Sequence, residues 1–259
     1  MPASALRPRS VTEIVDAAFQ IFRAHAGALV MCSAVAYIPT LFVRFLLLRD
    51  LQSLGTPDPS RLGELAAHTG YTWLATILSY ALMTATLTIC ASQAYLGEEV
   101  DVAAAVRRVA SRLLPFLVAT LLVSALTLVA FAFLFFPAMY VTARYFAVAP
   151  AMLLEDRGIF GAMSRSSELS LRRKWHILNT LGLVILIYFV LLVGLTLVSA
   201  MIGGVAVQAI LGAVVTICIY PVIAITGVLL YYDARIQSEG LDIELMADAL
   251  GPAPTPLVR

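Results

Sequence analysis

The chain alternates between two textures. Long apolar runs at 28–48, 71–96, 113–136, 138–154, 175–199 and 207–232 are separated by short segments that hold nearly all of the charge. A hydrocarbon core of about 30 Å takes roughly 20 helical residues to cross. The runs lack the period-two alternation of barrel strands, so each predicts a membrane-spanning helix, the remaining way to satisfy a backbone in lipid. The expected fold class is an all-α integral membrane protein with six transmembrane helices in a single domain, 1–250, followed by a disordered tail, 251–259, that carries three prolines.

Between the runs the pattern changes to helical stripes. Ser10-Val-Thr-Glu13 has capping-box spacing. Val11, Ile14, Val15, Ala18, Phe19 and Phe22 then recur on one face, and Thr12, Glu13, Asp16, Gln20 and Arg23 take the other. Such a helix suits the membrane interface. Related stretches follow the second run (Glu98, Glu99 and Asp101, then Ala103, Val106 and Ala110) and the fourth (Glu155 and Asp156, then Ile159, Phe160 and Met163), each ending in arginines. Leu169 falls off the last of these stripes, and a further acid-then-apolar stretch starts at Glu239. The order reads as amphipathic interfacial helix, span, span, in a threefold internal repeat, with one more interfacial helix after it. The long connection at 49–70 carries Asp58-Pro59 ahead of Leu62, Leu65 and Ala66, which predicts one short helix there.

Charge sets the orientation. Thirteen of the 17 Lys and Arg residues fall on the side of the termini, leaving Arg44, Arg49, Arg61 and Arg144 on the other. Cationic loops stay cytoplasmic, so both termini and the interfacial helices are expected in the cytoplasm. Residues 1–26 are amphipathic and acid-containing, unlike a cleaved leader, so the first span should act as an uncleaved anchor. The 61% hydrophobic and 13% charged composition agrees with a membrane chain. Lys174 as the sole lysine beside sixteen arginines, with abundant alanine, reads as the codon usage of a GC-rich genome and points to a bacterial plasma membrane.

The inventory of reactive groups is thin. His25, His68 and His176 lie apart, and the chain has no His-x-x-x-His, no Cys-x-x-Cys, no phosphate-cradling Gly-rich Lys-Ser/Thr loop and no Gly-x-Ser-x-Gly. Cys32, Cys90 and Cys218 fall inside runs and read as small buried hydrophobes. No catalytic residue, metal ligand or cofactor is assigned, and catalysis is not expected. None of the 16 Asp and Glu lies inside a run, which argues against a proton relay. Pro39, Pro150 and Pro221 lie within runs, where they either kink a helix or break it.

Two features inside the runs are candidate sites. Thr72, Thr76, Tyr80, Thr84, Thr88 and Ser92 form a ladder at spacing four, suited either to close interhelical packing or to a polar cavity. Arg144 follows Pro137 by seven residues, about 10 Å along a helix, with no acid in any run to pair with it. It either snorkels or meets a lipid phosphate, a bound anion or helix-end carbonyls. The outer-leaflet phosphate is the first candidate.

Three stretches carry a family resemblance. Val11–His25 (VTEIVDAAFQIFRAH), Pro137–Glu155 (PAMYVTARYFAVAPAMLLE) and Tyr231–Glu244 (YYDARIQSEGLDIE) together resemble the bacterial glycerophosphoryl diester phosphodiesterase membrane-domain family. The similarity runs over essentially the whole chain and implies its fold and topology. The catalytic histidines and metal-binding carboxylates of the enzymatic barrel found in some members have no counterpart in this chain. The expected function is that of a non-catalytic multi-pass membrane protein that organises lipid or a membrane or cytoplasmic protein partner at the cytoplasmic interface, with a carrier or flippase for a small or amphiphilic solute as the alternative. Nucleic acid is not an expected partner.

Overall fold

The computed structural model describes residues 9–53, 62–133, 135–171, 173–202 and 205–239. Their regular elements are all helices, in the order α1 (Val11–Ala24), α2 (Ala26–Ser53), α3 (Leu62–Leu96), α4 (Val102–Ser111), α5 (Leu113–Phe133), α6 (Phe135–Arg144), α7 (Val148–Leu154), α8 (Ile159–Leu169), α9 (Lys174–Ile202) and α10 (Val205–Glu239). Five of them, α2, α3, α5, α9 and α10, are long and apolar enough to cross a membrane. The all-helical class expected from the sequence is therefore observed, with five helices of the length and apolarity that a multi-pass membrane protein needs. The expected continuous fourth span at 138–154 is not, because α6 and α7 are separate helices. The short helix expected in the 49–70 connection is instead the first part of α3, which runs unbroken from Leu62, while α2 extends to Ser53. The final interfacial helix and the tail lie outside the described residues.

The centre of the bundle is α3 packed between α2 and α10. Along α3, Ala81, Met83, Ala85, Leu87, Cys90 and Ala91 are fully buried, and the alanines among them let neighbouring backbones approach closely. Pro39 and Pro221 sit inside continuous helices. Next to Pro39, the Thr40 N–H donates to Ser79 Oγ of α3 at 3.2 Å and Thr40 Oγ1 to the Ala75 carbonyl at 3.1 Å. Cys32 and Cys90 face each other across the α2–α3 contact with sulfurs 3.8 Å apart. Cys218, expected to be buried, lies exposed on the outside of α10. The outward faces of α5 and α9 are the least covered of the long helices.

The short amphipathic helices bury a stripe against the bundle. Ser10 caps α1 in the expected reciprocal box, its N–H donating to Glu13 Oε2 at 2.8 Å and its Oγ accepting from the Glu13 N–H at 3.4 Å. Ile14, Val15 and Ala18 then pack against the protein, chiefly α10 and α9, so this stripe is covered by helices rather than by lipid. On α4 the buried residues are Ala105 and Val109, and the expected stripe of Ala103, Val106 and Ala110 is exposed. On α8 they are Ala162, Ser166 and Leu169, and Phe160 points away. On α4 the buried face is thus offset from the expected one, whereas on α8 Ile159 and Met163 of the expected stripe pack against the core and Phe160 alone is turned outward.

At one end of the bundle, charges tie the α7–α8 connection to α10. Glu155 accepts from the Tyr231 hydroxyl at 2.7 Å and from Arg165 Nε at 3.0 Å, and pairs with Arg157. Arg165 also pairs with Glu239, which in turn meets Arg235 at 3.0 Å. Asp156, with a left-handed backbone at φ 56°, pairs with Arg108 and Arg112 at 3.1 and 3.2 Å. Burial pushes the Glu155 carboxyl up, but the hydrogen bonds from Tyr231, Arg165 and Arg157 outweigh it and hold the group below its ordinary 4.5.

Two outcomes follow. Ile14→Ala should lower the stability of the detergent-solubilised protein by about 2–5 kcal/mol, whereas Gln20→Ala on the exposed face of α1 should leave it within error; thermal unfolding of both variants is the check. A depressed carboxylate contributes stability that is complete above its unfolded value and disappears as the pH falls through the folded one. The melting temperature should therefore drop below pH 4.5, and the Glu155→Gln variant, less stable at neutral pH, should show a shallower acid loss.

Candidate anion-contact site at a broken helix

Pro150 explains the break. In a continuous helix its ring would collide with the carbonyl of Phe146, and it has no N–H to donate there. The chain instead leaves α6 at Arg144, passes through 145–147, and restarts α7 with Pro150 in the first turn, where a missing N–H costs nothing. One side chain repairs the gap: Ser166 of α8 donates from Oγ to the Arg144 carbonyl at 2.9 Å and accepts from the Ala147 N–H at 3.0 Å. Ala143, Ala147, Ala151 and Ala162 are all fully buried around it, and their small size is what lets α8 come so close.

Arg144 stands at the end of α6, where a cation complements the helix dipole. Its guanidinium carbon lies 5.8 Å from the centre of the Tyr145 ring, and its Nε is buried without a hydrogen-bond partner. Lys174, at the start of α9, places its ammonium 3.9 Å from the centre of the Tyr140 ring. Tyr140 lies one turn before Arg144 on α6, so both cations approach the same exposed ring. No carboxylate lies within 4.0 Å of either cation among the described residues, in contrast with Arg108, Arg112, Arg157, Arg165, Arg173 and Arg235. Beside Lys174, Trp175 is exposed. Two cations and two outward aromatic side chains are thus gathered in one place, and among the described residues no carboxylate pairs with either cation.

Arg144 is also moved by this geometry. The charge sorting sets it on the side opposite Lys174, whereas the structure brings the two to one ring. The polar ladder, by contrast, is used between helices. Thr84 Oγ1 donates to the Tyr80 carbonyl at 2.7 Å and lies 2.6 Å from the Tyr220 hydroxyl of α10. Thr88 Oγ1 donates to the Thr84 carbonyl at 2.6 Å, and Ser92 Oγ meets the Tyr232 hydroxyl at 2.7 Å. Thr72 and Thr76 are half-buried. Tyr80 and Tyr220 also meet edge-on, ring centres 5.2 Å apart.

Sequence reasoning missed Lys174, Tyr140 and Ser166 as members of the site. Tyr140 and Arg144 have the four-residue spacing that puts them on one helical face, a signal that was present. The contacts of Lys174 and Ser166 with α6 join residues far apart in the chain and left no local trace. No family model matches the chain, and no curated protein or solved structure matches it either. The family resemblance accordingly stands on the three stretches that carry it.

Replacing Ser166 by Ala strands the Arg144 carbonyl and the Ala147 N–H together, which should cost about 1–3 kcal/mol per unsatisfied group. Ser164→Ala, on the exposed face of α8, should be neutral. Equal melting temperatures for the two variants in detergent would mean that the break is held by something other than this hydroxyl.

Proposed function

We propose that this protein is a non-catalytic multi-pass membrane protein that holds anionic phospholipid at the cytoplasmic interface and so organises the lipid around its bundle. The observation that carries the reading is the pairing of Arg144 and Lys174 at Tyr140 with no carboxylate beside them. An arginine near lipid persists when something anionic meets it, and a guanidinium beside an ammonium suits a phosphate diester. The exposed Val106 and Phe160 on α4 and α8, and Trp175 at the foot of α9, fit contact with the interface of the same leaflet.

The topology is part of the proposal. Asp156 pairs with Arg112 just ahead of α5, so α6 and α7 together bring the chain back to the end from which α5 leaves. They act as a broken fourth crossing, which gives six crossings with both termini in the cytoplasm of a bacterial cell. Placing Arg144 with Lys174 leaves Arg44, Arg49 and Arg61 as the minority side, and moves the lipid contact from the outer to the inner leaflet. The order α1–α2–α3, α4–α5–α6/α7, α8–α9–α10 fits the threefold repeat, and the resemblance to the glycerophosphoryl diester phosphodiesterase membrane-domain family fits the same arrangement.

A second reading, a carrier or flippase, draws on the broken helix and on the polar contacts among Tyr80, Thr84, Tyr188, Thr216 and Tyr220 inside the bundle. Discontinuous helices commonly border solute sites in carriers. Flipping of a fluorescent phospholipid in proteoliposomes separates this reading from the first.

The binding test is lipid retention. Wild type purified in non-ionic detergent should keep anionic phospholipid that the Arg144→Leu/Lys174→Leu double variant holds about tenfold more weakly. Arg144→Lys should fall between them, since it keeps the charge but loses the planar fork. Equal retention by all three would remove the proposal.

A further inference from the structure

A second cationic recess lies at the same end of the bundle, away from the helix break. It is a cleft of about 830 Å³ lined by Arg9, Ser10, Arg173, His176, Gln237 and Ser238, with Leu171 at its edge. Four parts of the chain meet there: the start of α1, the α8–α9 connection, the first turn of α9 and the last turn of α10. Arg173 and Lys174 are neighbours in sequence yet serve different places, Arg173 facing this cleft and Lys174 facing Tyr140.

None of the lining side chains is acidic. The carboxylate beneath them, Asp233, is 4% exposed and already engaged. Its Oδ1 accepts the Arg9 backbone N–H at 2.9 Å, and its Oδ2 accepts Gln237 Nε2 at 2.8 Å. Arg173 reaches Oδ2 through one nitrogen at 3.5 Å, a long contact that uses one of its five donors. The guanidinium of Arg9 lies over the Tyr95 ring at 5.6 Å. His176 Nε2 is buried with no hydrogen-bond partner and stands 3.9 Å from Asp233 Oδ2. Ser10 adds a hydroxyl at the N-terminal end of a 14-residue helix, the positive end of its dipole. Asp233 thus serves as a buried anchor that orients the rim, and Arg173 keeps further donors on the cleft side.

We propose that this cleft binds a phosphate group, with the Arg173 guanidinium as its principal contact and His176, Ser10 and Arg9 completing the cradle. A phosphate oxygen takes the forked donors that a single long bond to Asp233 leaves over. It also supplies the missing partner of His176. The volume lies within the range of small-ligand sites and exceeds what a bare oxyanion fills, so the phosphate is carried by a larger body: a phosphomonoester lipid headgroup entering past Leu171, or a water-soluble phosphomonoester.

The test uses the full chain in non-ionic detergent and phosphate-free buffer. Thermal stability is titrated with glycerol 3-phosphate in one arm and with phosphatidic acid in mixed micelles in the other, with phosphatidylcholine as the blank. Both arms are run on the Arg144→Leu/Lys174→Leu variant, so that the lipid contact at the helix break does not contribute. Saturable stabilisation of it by glycerol 3-phosphate assigns the soluble source, and saturation by phosphatidic acid alone assigns the headgroup. In that background Arg173→Gln and His176→Ala should each raise the midpoint concentration about tenfold, the loss of one charge-assisted or buried contact. Absence of saturable stabilisation in both arms overturns the proposal, as does a midpoint unmoved by both cleft variants.

Discussion

A buried backbone has to find its hydrogen bonds within the protein, and at Pro150 this chain cannot find them along its own helix. The remedy comes from Ser166, whose single hydroxyl both donates and accepts across the gap. Much of the surrounding arrangement depends on that contact. To deliver the hydroxyl, α8 has to lie against the break, which requires alanines at 143, 147, 151 and 162. With α8 held there, Arg165 is carried to Glu155 and Glu239, and the end of α10 is fixed. Arg144 and Lys174 are brought together by the same geometry, since α9 begins a few residues beyond α8.

Polar groups in the interior do related work at a smaller scale. Thr40, Thr84 and Ser92 each bond to a residue on a neighbouring helix while lying among small apolar side chains. Between helices in lipid there is no hydrophobic force to favour one packing over another, so small residues and a few hydroxyls set which helices meet. The central position of α3 follows from this: it has small residues in its buried faces, and hydroxyls that meet Thr40 of α2 and Tyr220 and Tyr232 of α10.

What could be read from the sequence was what is local and periodic. The five long helices and the Ser10–Glu13 cap announce themselves by length and spacing. Pro150 was visible but ambiguous, because Pro39 and Pro221 have the same surroundings in sequence and remain inside intact helices. The outcome at 150 depended on a serine sixteen residues downstream. On α4 the periodicity was real but its phase was not, since Ala105 and Val109 face inward and Val106 outward, while on α8 Phe160 alone of the expected stripe is exposed. Asp233 was not singled out in the sequence, and only the convergence of Arg9, Arg173 and His176 from distant segments, beside Gln237 one turn on, made it a buried anchor.

The docking of α1 on α10 has a consequence for how the molecule is made. Asp233 accepts the N–H of a residue 224 positions earlier, and the apolar stripe of α1 is covered chiefly by helices made long after it. During translation most of the native cover of Ile14 is therefore missing until α9 and α10 have been made. An amphipathic helix is well suited to that interval, since it can rest at the bilayer surface while its final neighbours are still being synthesised. The docking of α1 has to wait for α10, and closure of the bundle becomes a late event in the making of these ten helices.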